Sequence, residues 1–158
     1  MVASSSEPTA TADREIVVSR VLDAPRELVF KAWIDPQHVA QWWGPTGFTT
    51  TTHEMDVRPG GVWRFIMHGP DGVDYPNWIK YLEVVEPERL VYNHGGEDEG
   101  QSDFQTTVTF VDQGGKTALT MRAVFPTAEA RDYVVKEYGA LDGGQQTLER
   151  LGAYVARM

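Results

Sequence analysis

Short runs of β-branched and aromatic residues, separated by turn-forming residues, fill the chain between residues 15 and 125. Runs of this kind bounded by Gly, Pro or Asp predict β-strands, and the short connections make neighbouring strands antiparallel. The predicted strands cover 15–22, 48–57, 62–68, 75–85, 89–94, 104–111 and 117–125. The pattern therefore predicts one seven-stranded antiparallel sheet in mostly sequential order.

Two short helices are predicted between the first and second strands. Pro25 suits the first position of a helix, where the missing N–H has no intrahelical partner. Asp35-Pro36 starts a second helix with a capping carboxylate followed by proline, and Gly44-Pro45 ends it. Trp33, Trp42 and Trp43 lie in this region. We interpret them as wedging the helices against the sheet, with a gate over a pocket mouth as the alternative.

A long amphipathic helix is predicted from Thr127 to the C-terminus. Apolar or inward positions recur there at steps of three or four, namely Ala130, Val134, Tyr138, Leu141, Gln145, Leu148, Gly152 and Val155. Glycines disfavour a helix by about 1 kcal/mol each, so a kink is expected near Gly143-Gly144. The curled sheet and the helix in its concave face predict an α+β helix-grip fold with room for a small-molecule site between the layers.

The chain has 158 residues, which as a prior means a single domain. Residues 1–13 are mostly Ser, Thr, Ala and Pro, and we expect a disordered N-terminal tail before one helix-grip domain at 14–158. The acidic cluster Glu97-Asp98-Glu99 is interpreted as a solvated loop tip.

Composition excludes several classes of function. Cysteine is absent, which removes disulfides, thiol catalysis and iron–sulfur clusters and fits a cytoplasmic location. The formal charge of −9 disfavours nucleic acid as a partner. No apolar run approaches the roughly 20 residues of a membrane span, and a signal peptide is not recognisable, so no membrane association is expected.

The aromatic and methionine side chains that alternate along the predicted strands are the candidate binding residues. For any one of them a solid core is the simpler interpretation, but several polar tips buried together favour a cavity, because each unpaired tip costs about 1–3 kcal/mol. The predicted cavity-lining residues are Met55, Trp63, Phe65, Met67, Trp78, Tyr92, His94, Phe104, Met121, Tyr138, Leu141 and Gln145. Flexible methionines in such a lining favour loose shape selection.

Five segments in order carry a resemblance to a known family. They are 24–33 (APRELVFKAW), 42–45 (WWGP), 56–61 (DVRPGG), 87–90 (PERL) and 146–151 (QTLERL). The chain resembles the SRPBCC superfamily and, within it, homologues of the activator of the ninety-kilodalton heat-shock chaperone's ATPase. The resemblance implies the helix-grip architecture of START domains and the birch pollen allergen. For function it admits lipid carriers, cyclases, hormone receptors and chaperone regulators.

Catalytic signatures are not recognisable, and no catalytic residue, metal site or cofactor is predicted. The histidines at 38, 53, 68 and 94 are interpreted mainly as surface or hydrogen-bonded strand residues. His53 and His94 remain candidates for polar contacts within a pocket. In particular, His53-Glu54 does not continue into a zinc motif, because position 57 is Val.

Three functions stay open at this point. The leading hypothesis is a protein that binds an apolar or aromatic small molecule between sheet and C-terminal helix, without catalysis. The alternatives are a cyclase- or hydrolase-type enzyme using His53, His94 or a buried acid, and an interaction module that contacts a chaperone through its surface. A pocket below roughly 300 Å³ would favour the interaction module. A homodimer is expected, formed through exposed strand edges or through the tryptophan-bearing helices.

Overall fold

Seven strands and four helices form the regular structure over residues 11–96 and 101–158, which the computed structural model describes. The strands are β1 Glu15–Leu22, β2 Thr49–Met55, β3 Val62–His68, β4 Asp74–Val85, β5 Arg89–Gly95, β6 Phe104–Gln113 and β7 Lys116–Val124. The helices are α1 Arg26–Ile34, α2 Pro36–Val39, α3 Ala128–Tyr138 and α4 Ala140–Val155. The predicted strands are all present, with bounds that differ by a few residues.

The strands form one antiparallel sheet in the order β1-β7-β6-β5-β4-β3-β2. Six of the seven strands follow one another as a meander, while β1 pairs with the last strand, Glu15 opposite Val124. The helices cover the inner face of the curved sheet, so the predicted α+β helix-grip fold is confirmed. In the described part of the chain no helix is long and apolar enough to cross a membrane.

Tryptophan side chains fill the core between the short helices and the sheet. Trp33, Trp42 and Trp43 are all at least nine-tenths buried. The Trp33 ring meets Trp42 edge-on at 4.8 Å between centroids, and Trp43 meets Trp63 of the sheet at 4.9 Å. Edge-to-face contacts of this kind add to the stabilisation from buried area. These residues therefore fix the helices to the sheet, and none of the three lines the cavity described below.

The C-terminal helix breaks at a different glycine from the one expected. Gly139 ends α3 in the left-handed conformation, φ +59°, and α4 begins directly after it. Gly143 and Gly144 lie inside α4 without interrupting it. The predicted single long helix with a kink near Gly143-Gly144 is thus two helices that meet at Gly139, because the left-handed conformation suits glycine.

The inward face of α4 agrees with the predicted one at Leu148 and Val155 and differs from it in the first half of the helix. Leu148, Leu151 and Val155 are buried against the sheet. A Cβ atom at Gly144 would lie 3.2 Å from Val18 of β1, so this glycine allows the helix backbone to approach the strand closely. Gly144 and Leu151 therefore join Leu148 and Val155 on the inward face, whereas the predicted inward positions Leu141 and Gln145 are exposed.

Two segments that were interpreted from the sequence lie partly or wholly outside the described residues. Residues 1–10 of the predicted tail and the Glu97-Asp98-Glu99 cluster are outside them. The remainder of the predicted tail enters regular structure, since Ala12–Arg14 form a turn of 3-10 helix. The Thr11 hydroxyl there accepts a hydrogen bond of 2.8 Å from Arg122 of β7.

Candidate functional site

A cavity of about 730 Å³ opens between one end of the sheet and the start of α4. Its wall combines the loop after α2, the facing ends of β3 and β4, the residues Gly96 after β5 and Asp103 before β6, and the junction of α3 with α4. The residues that line it are Pro45, Thr46, Phe48, Met67, Asp74, Tyr75, Pro76, Asn77, Gly96, Asp103, Phe104, Gly139, Asp142, Gly143 and Gln146. This volume lies within the range of small-molecule sites.

The floor of the cavity consists of side chains on the inner face of the sheet. Met67 pairs with Tyr75 across β3 and β4, and directly paired residues of antiparallel strands point to the same face. Phe48 adds an aromatic ring 6.0 Å from that of Tyr75. Asn77 pairs with the buried Phe65 and adds a polar group to this face. The cavity therefore offers apolar and aromatic surface with a few fixed hydrogen-bonding groups.

His94 lies among aromatic rings next to this floor. Its ring centre is 4.7 Å from that of Phe104 and 6.0 Å from that of Phe65. Burial lowers the pKa of His94 to about 4, so the imidazole is neutral at neutral pH. Asn77 Nδ2 donates to the Tyr75 carbonyl at 2.8 Å, which directs Asn77 Oδ1 toward His94 Nε2, also at 2.8 Å. His94 therefore donates from Nε2 and orients the Asn77 amide that lines the cavity.

Polar side chains of α4 hold the loop after α2 in place. Nη1 of Arg150 donates to the carbonyl oxygens of Gly44 at 2.8 Å and Pro45 at 3.0 Å. One turn earlier, the Gln146 side chain accepts a hydrogen bond of 3.1 Å from the Thr46 backbone N–H. Burial lowers the pKa of Arg150, but these carbonyls replace much of the lost hydration. The cavity wall at Pro45 and Thr46 is therefore anchored to α4.

A second, smaller apolar cavity of about 190 Å³ lies on the other side of Phe104. Met121, Ala123 and Phe125 of the sheet side and Val134 of α3 contribute to its wall. Phe104 borders both cavities, and its ring centre is 4.9 Å from that of Phe125. The Phe104 ring therefore separates the two spaces.

The predicted binding residues divide into two groups. Met67 and Phe104 line the main cavity, and Met121 lines the smaller one with Phe104. Trp63, Phe65 and Tyr92 are almost completely buried in the core. Met55 is half-buried and packs against that core. His94 reaches the cavity through Asn77.

The remaining predicted residues lie elsewhere. Trp78 pairs with Gly95 on the outer face of the sheet, where its ring occupies the space that a Cβ at Gly95 would need. Leu141 is 42% exposed and Gln145 is exposed, because α4 turns its Gly144 side toward the sheet. The Tyr138 side chain lies outside the described part of the structure.

Two of the other three histidines, His38 and His68, have local hydrogen-bond partners. His53 is exposed on β2, where it does not contribute to a pocket wall. His38 Nδ1 and the Tyr154 hydroxyl are hydrogen-bonded at 2.6 Å. His68 Nδ1 donates to Asp74 Oδ1 at 2.7 Å. Among residues 11–96 and 101–158, no group of three or more His, Asp or Glu side chains is arranged to hold a metal ion.

Sequence reasoning missed the polar residues that line and support the cavity. Gln146, Arg150 and Tyr154 are spaced four residues apart, so they lie along one side of α4. All three bond to the segment between α2 and β2 or to α2 itself. This spacing was a readable signal in the sequence. Asp142 gave no comparable signal, since an acidic residue in the first turn of a helix is common.

Comparison with known proteins identifies the family. A family model described as "Activator of Hsp90 ATPase homolog 1-like protein" matches residues 23–156, which is most of the chain. The chain belongs to this family. None of the curated proteins matches the chain. The AHSA1-like fold is part of the SRPBCC superfamily, so the resemblance found in the sequence is confirmed at both levels.

Solved structures resemble the chain over nearly its whole length. A protein from Chromobacterium violaceum, solved by crystallography, is 31% identical in sequence to this chain. The two structures match with a TM-score of 0.78 over 90% of this chain and 96% of that one. A protein from Mycobacterium smegmatis is 26% identical, with a TM-score of 0.80 and coverage of 90% and 91%. An NMR structure from Arthrobacter aurescens is 22% identical, with a TM-score of 0.84 and coverage of 96% and 91%. At 22% identity, the similarity to the Arthrobacter aurescens protein supports the fold alone.

Proposed function

We propose that this AHSA1-like protein binds an apolar or aromatic small molecule in the main cavity. The observation that carries the proposal is the volume of about 730 Å³, bounded by Phe48, Met67, Tyr75 and Phe104. A space of this size with an aromatic lining and a few oriented polar groups is typical of a binding site. It also exceeds the roughly 300 Å³ below which an interaction module is the better hypothesis.

Binding is favoured over catalysis by the arrangement around His94. The neutral imidazole uses Nε2 to orient Asn77 and stands behind the lining rather than in it. A general base must come within hydrogen-bond reach of the substrate proton that it removes. Asn77, by contrast, presents a polar group at the cavity surface, where it orients a ligand.

The test uses N-phenyl-1-naphthylamine, a neutral aromatic probe whose fluorescence rises in apolar surroundings. We expect saturable binding by the wild-type chain. A ligand at a roughly hundredfold excess over its Kd stabilises the folded state by about 2.7 kcal/mol, so thermal unfolding shifts upward with the probe.

A matched pair of variants on α4 locates the binding site. Gly143 lines the cavity, and a Cβ there would meet Pro45 at an ordinary contact distance of 3.4 Å, so Gly143→Phe places a ring in the cavity without a backbone clash. Ala153→Phe adds the same ring at an exposed position of the same helix. We expect Gly143→Phe to lower probe affinity at least about tenfold and Ala153→Phe to leave it unchanged. Equal affinities for the two variants, with both folded, would contradict the proposal.

We also propose that the chain forms a homodimer in the cytoplasm. The free sheet edges are β1 and β2, and β1 carries the exposed side chains Val17 and Val21. An apolar edge strand of this kind is available for pairing with another chain. Light scattering at high protein concentration tests this, and a mass of 17.7 kDa, that of one chain, would contradict it.

A further inference from the structure

The charged residues that line the main cavity are all acidic. Asp103 before β6 and Asp142 in the first turn of α4 line it from two separate elements, whereas the Asp74 side chain is bonded to His68 on the face of the sheet opposite to Tyr75. Among the described residues that line the cavity, none is Lys or Arg. A ligand that enters therefore meets acidic residues at two points of the wall, Asp103 and Asp142.

Nearby positive groups offset only part of this negative charge. The N-terminus of α4 carries about half a positive charge. The Arg150 guanidinium contacts the lining residue Pro45, but its N–H groups are directed to the Gly44 and Pro45 carbonyl oxygens. Together these groups supply about three quarters of the charge of the two carboxylates. The Asp74 carboxylate is bonded to His68 Nδ1 at 2.7 Å and is not counted in this balance.

Asp142 is the carboxylate best placed to meet a ligand. It is exposed and has no hydrogen-bond or ion-pair partner among the described residues. The cavity wall also includes the rings of Phe48, Tyr75 and Phe104. The face of an aromatic ring attracts a cation, and other parts of the same lining can pack against the apolar part of a ligand.

We propose that the cavity selects ligands that carry a positively charged amine on an aromatic or apolar body, and discriminates against carboxylates of the same shape. The ammonium group lies near Asp142, and the apolar body packs against the aromatic floor. This inference rests on the proposed binding function and narrows its ligand class. It disfavours fatty-acid-type ligands, whose carboxylate would face the aspartates.

The experiment compares three ligands that share a naphthalene ring and differ in the charge of the attached group. They are the amine 1-naphthylmethylamine, the alcohol 1-naphthylmethanol and the carboxylate 1-naphthaleneacetate. Isothermal titration calorimetry of the full chain near neutral pH measures each Kd at low and at high salt. We expect the amine to bind about two- to fivefold more tightly than the alcohol, and the acetate more weakly than the alcohol. The preference should shrink at an ionic strength of about 0.3 M, because salt screens partly exposed charges.

Two variants test the role of Asp142. In Asp142→Asn the amine should lose most of its advantage over the alcohol, whereas alcohol binding should be unchanged. Asp132→Asn in α3 removes an exposed carboxylate that does not line the cavity and should leave the preference intact. Melting curves of both variants confirm that they are folded.

The outcomes separate this inference from the proposed function. If the alcohol binds and the amine shows no advantage, the charge selection is refuted and the binding cavity stands. Tighter binding of the acetate would likewise overturn it. An equal loss of amine affinity in both variants would assign the preference to the net charge of −9 rather than to Asp142. If none of the three ligands binds, the proposed function itself fails.

Discussion

Replacing Arg150 with methionine removes the main attachment of the loop after α2 to α4. The guanidinium donates two hydrogen bonds of good length, 2.8 Å to the Gly44 carbonyl and 3.0 Å to that of Pro45. Further contacts to Trp43 and Gln41, at 3.4 and 3.5 Å, are too long to count. Methionine keeps much of the apolar stem, so the variant removes mainly the charged donor.

The expected loss of stability follows from these two bonds. A hydrogen bond from a charged donor contributes about 1.5–3 kcal/mol. Part of this loss in free energy is offset, because the variant no longer buries a guanidinium and the half-buried loop carbonyls regain water. We therefore expect Arg150→Met to lower the free energy of unfolding by about 2 kcal/mol. Arg150→Lys should lie between wild type and Arg150→Met, since one ammonium group reaches fewer carbonyls in the required geometry.

Urea unfolding followed by tryptophan fluorescence measures this effect, with Arg89→Met as the control. Like Arg150, Arg89 is a charged hydrogen-bond donor. Its partner is the Glu83 carboxylate at 2.7 Å, and both side chains are nearly half exposed. An exposed ion pair is worth at most about 1 kcal/mol. If Arg150→Met costs no more than Arg89→Met, the loop is held by its apolar contacts and not by the guanidinium. Because Pro45 and Thr46 line the cavity, Arg150→Met should also weaken probe binding.

Three further predictions concern the histidine, the glycines and the smaller cavity. The pKa of His94 lies below that of an unfolded histidine, so the unfolded state binds the proton more tightly, and stability should fall as the pH drops from about 6.5 to about 4. Urea unfolding across this range should show a shallower loss for His94→Gln. Gly139→Ala should destabilise by about 1 kcal/mol through its left-handed conformation, whereas Gly143→Ala inside α4 should stabilise by up to about 1 kcal/mol, as measured by thermal unfolding. Ala123→Phe should fill the smaller cavity with less than about 1 kcal/mol of destabilisation and leave probe binding unchanged, whereas a loss of 1–3 kcal/mol would mean that this space is already packed.

The strands and the helix starts could be predicted because local chemistry determines them. Gly114-Gly115 between β6 and β7 takes positive φ values of 62° and 90°, which a tight turn requires and glycine allows. Asp35 accepts a hydrogen bond of 2.9 Å from the Gln37 N–H, and Thr127 accepts one of 3.0 Å from the Ala130 N–H. These caps act within a few residues of the chain, so the sequence indicates them directly.

The break in the C-terminal helix could not be predicted, because its cause lies in tertiary contacts. Gly139, Gly143 and Gly144 look alike in the sequence. They differ in what surrounds them: open space at Gly139, Pro45 at Gly143 and Val18 of β1 at Gly144. Only the position of α4 on the sheet decides which glycine bends the chain and which permits close packing.

The composition of the cavity wall depends on the same placement. Trp63, Phe65 and Met67 alternate along one face of β3, and the sequence treats them as equivalent. In the structure the first two are covered by core side chains, whereas Met67 lies at the end of the strand beyond that cover. A face can be predicted from alternation. The point along β3 at which the helices and core side chains no longer cover that face cannot be predicted from alternation.

The pairing of β1 with β7 has a consequence for how the protein is made. Glu15 is opposite Val124 and Leu22 is opposite Thr117, so the first strand to leave the ribosome is the one whose partner is translated last. At a synthesis rate of about 5–20 residues per second, β1 waits on the order of 5–20 s for that partner. During this interval the meander from β2 to β6 can form from neighbouring strands, while Ile16 and Val18 have no sheet to cover them. The nascent chain therefore exposes the apolar strand β1 until β7 has been synthesised, and an unpaired strand of this kind is open to aggregation with other chains during that interval.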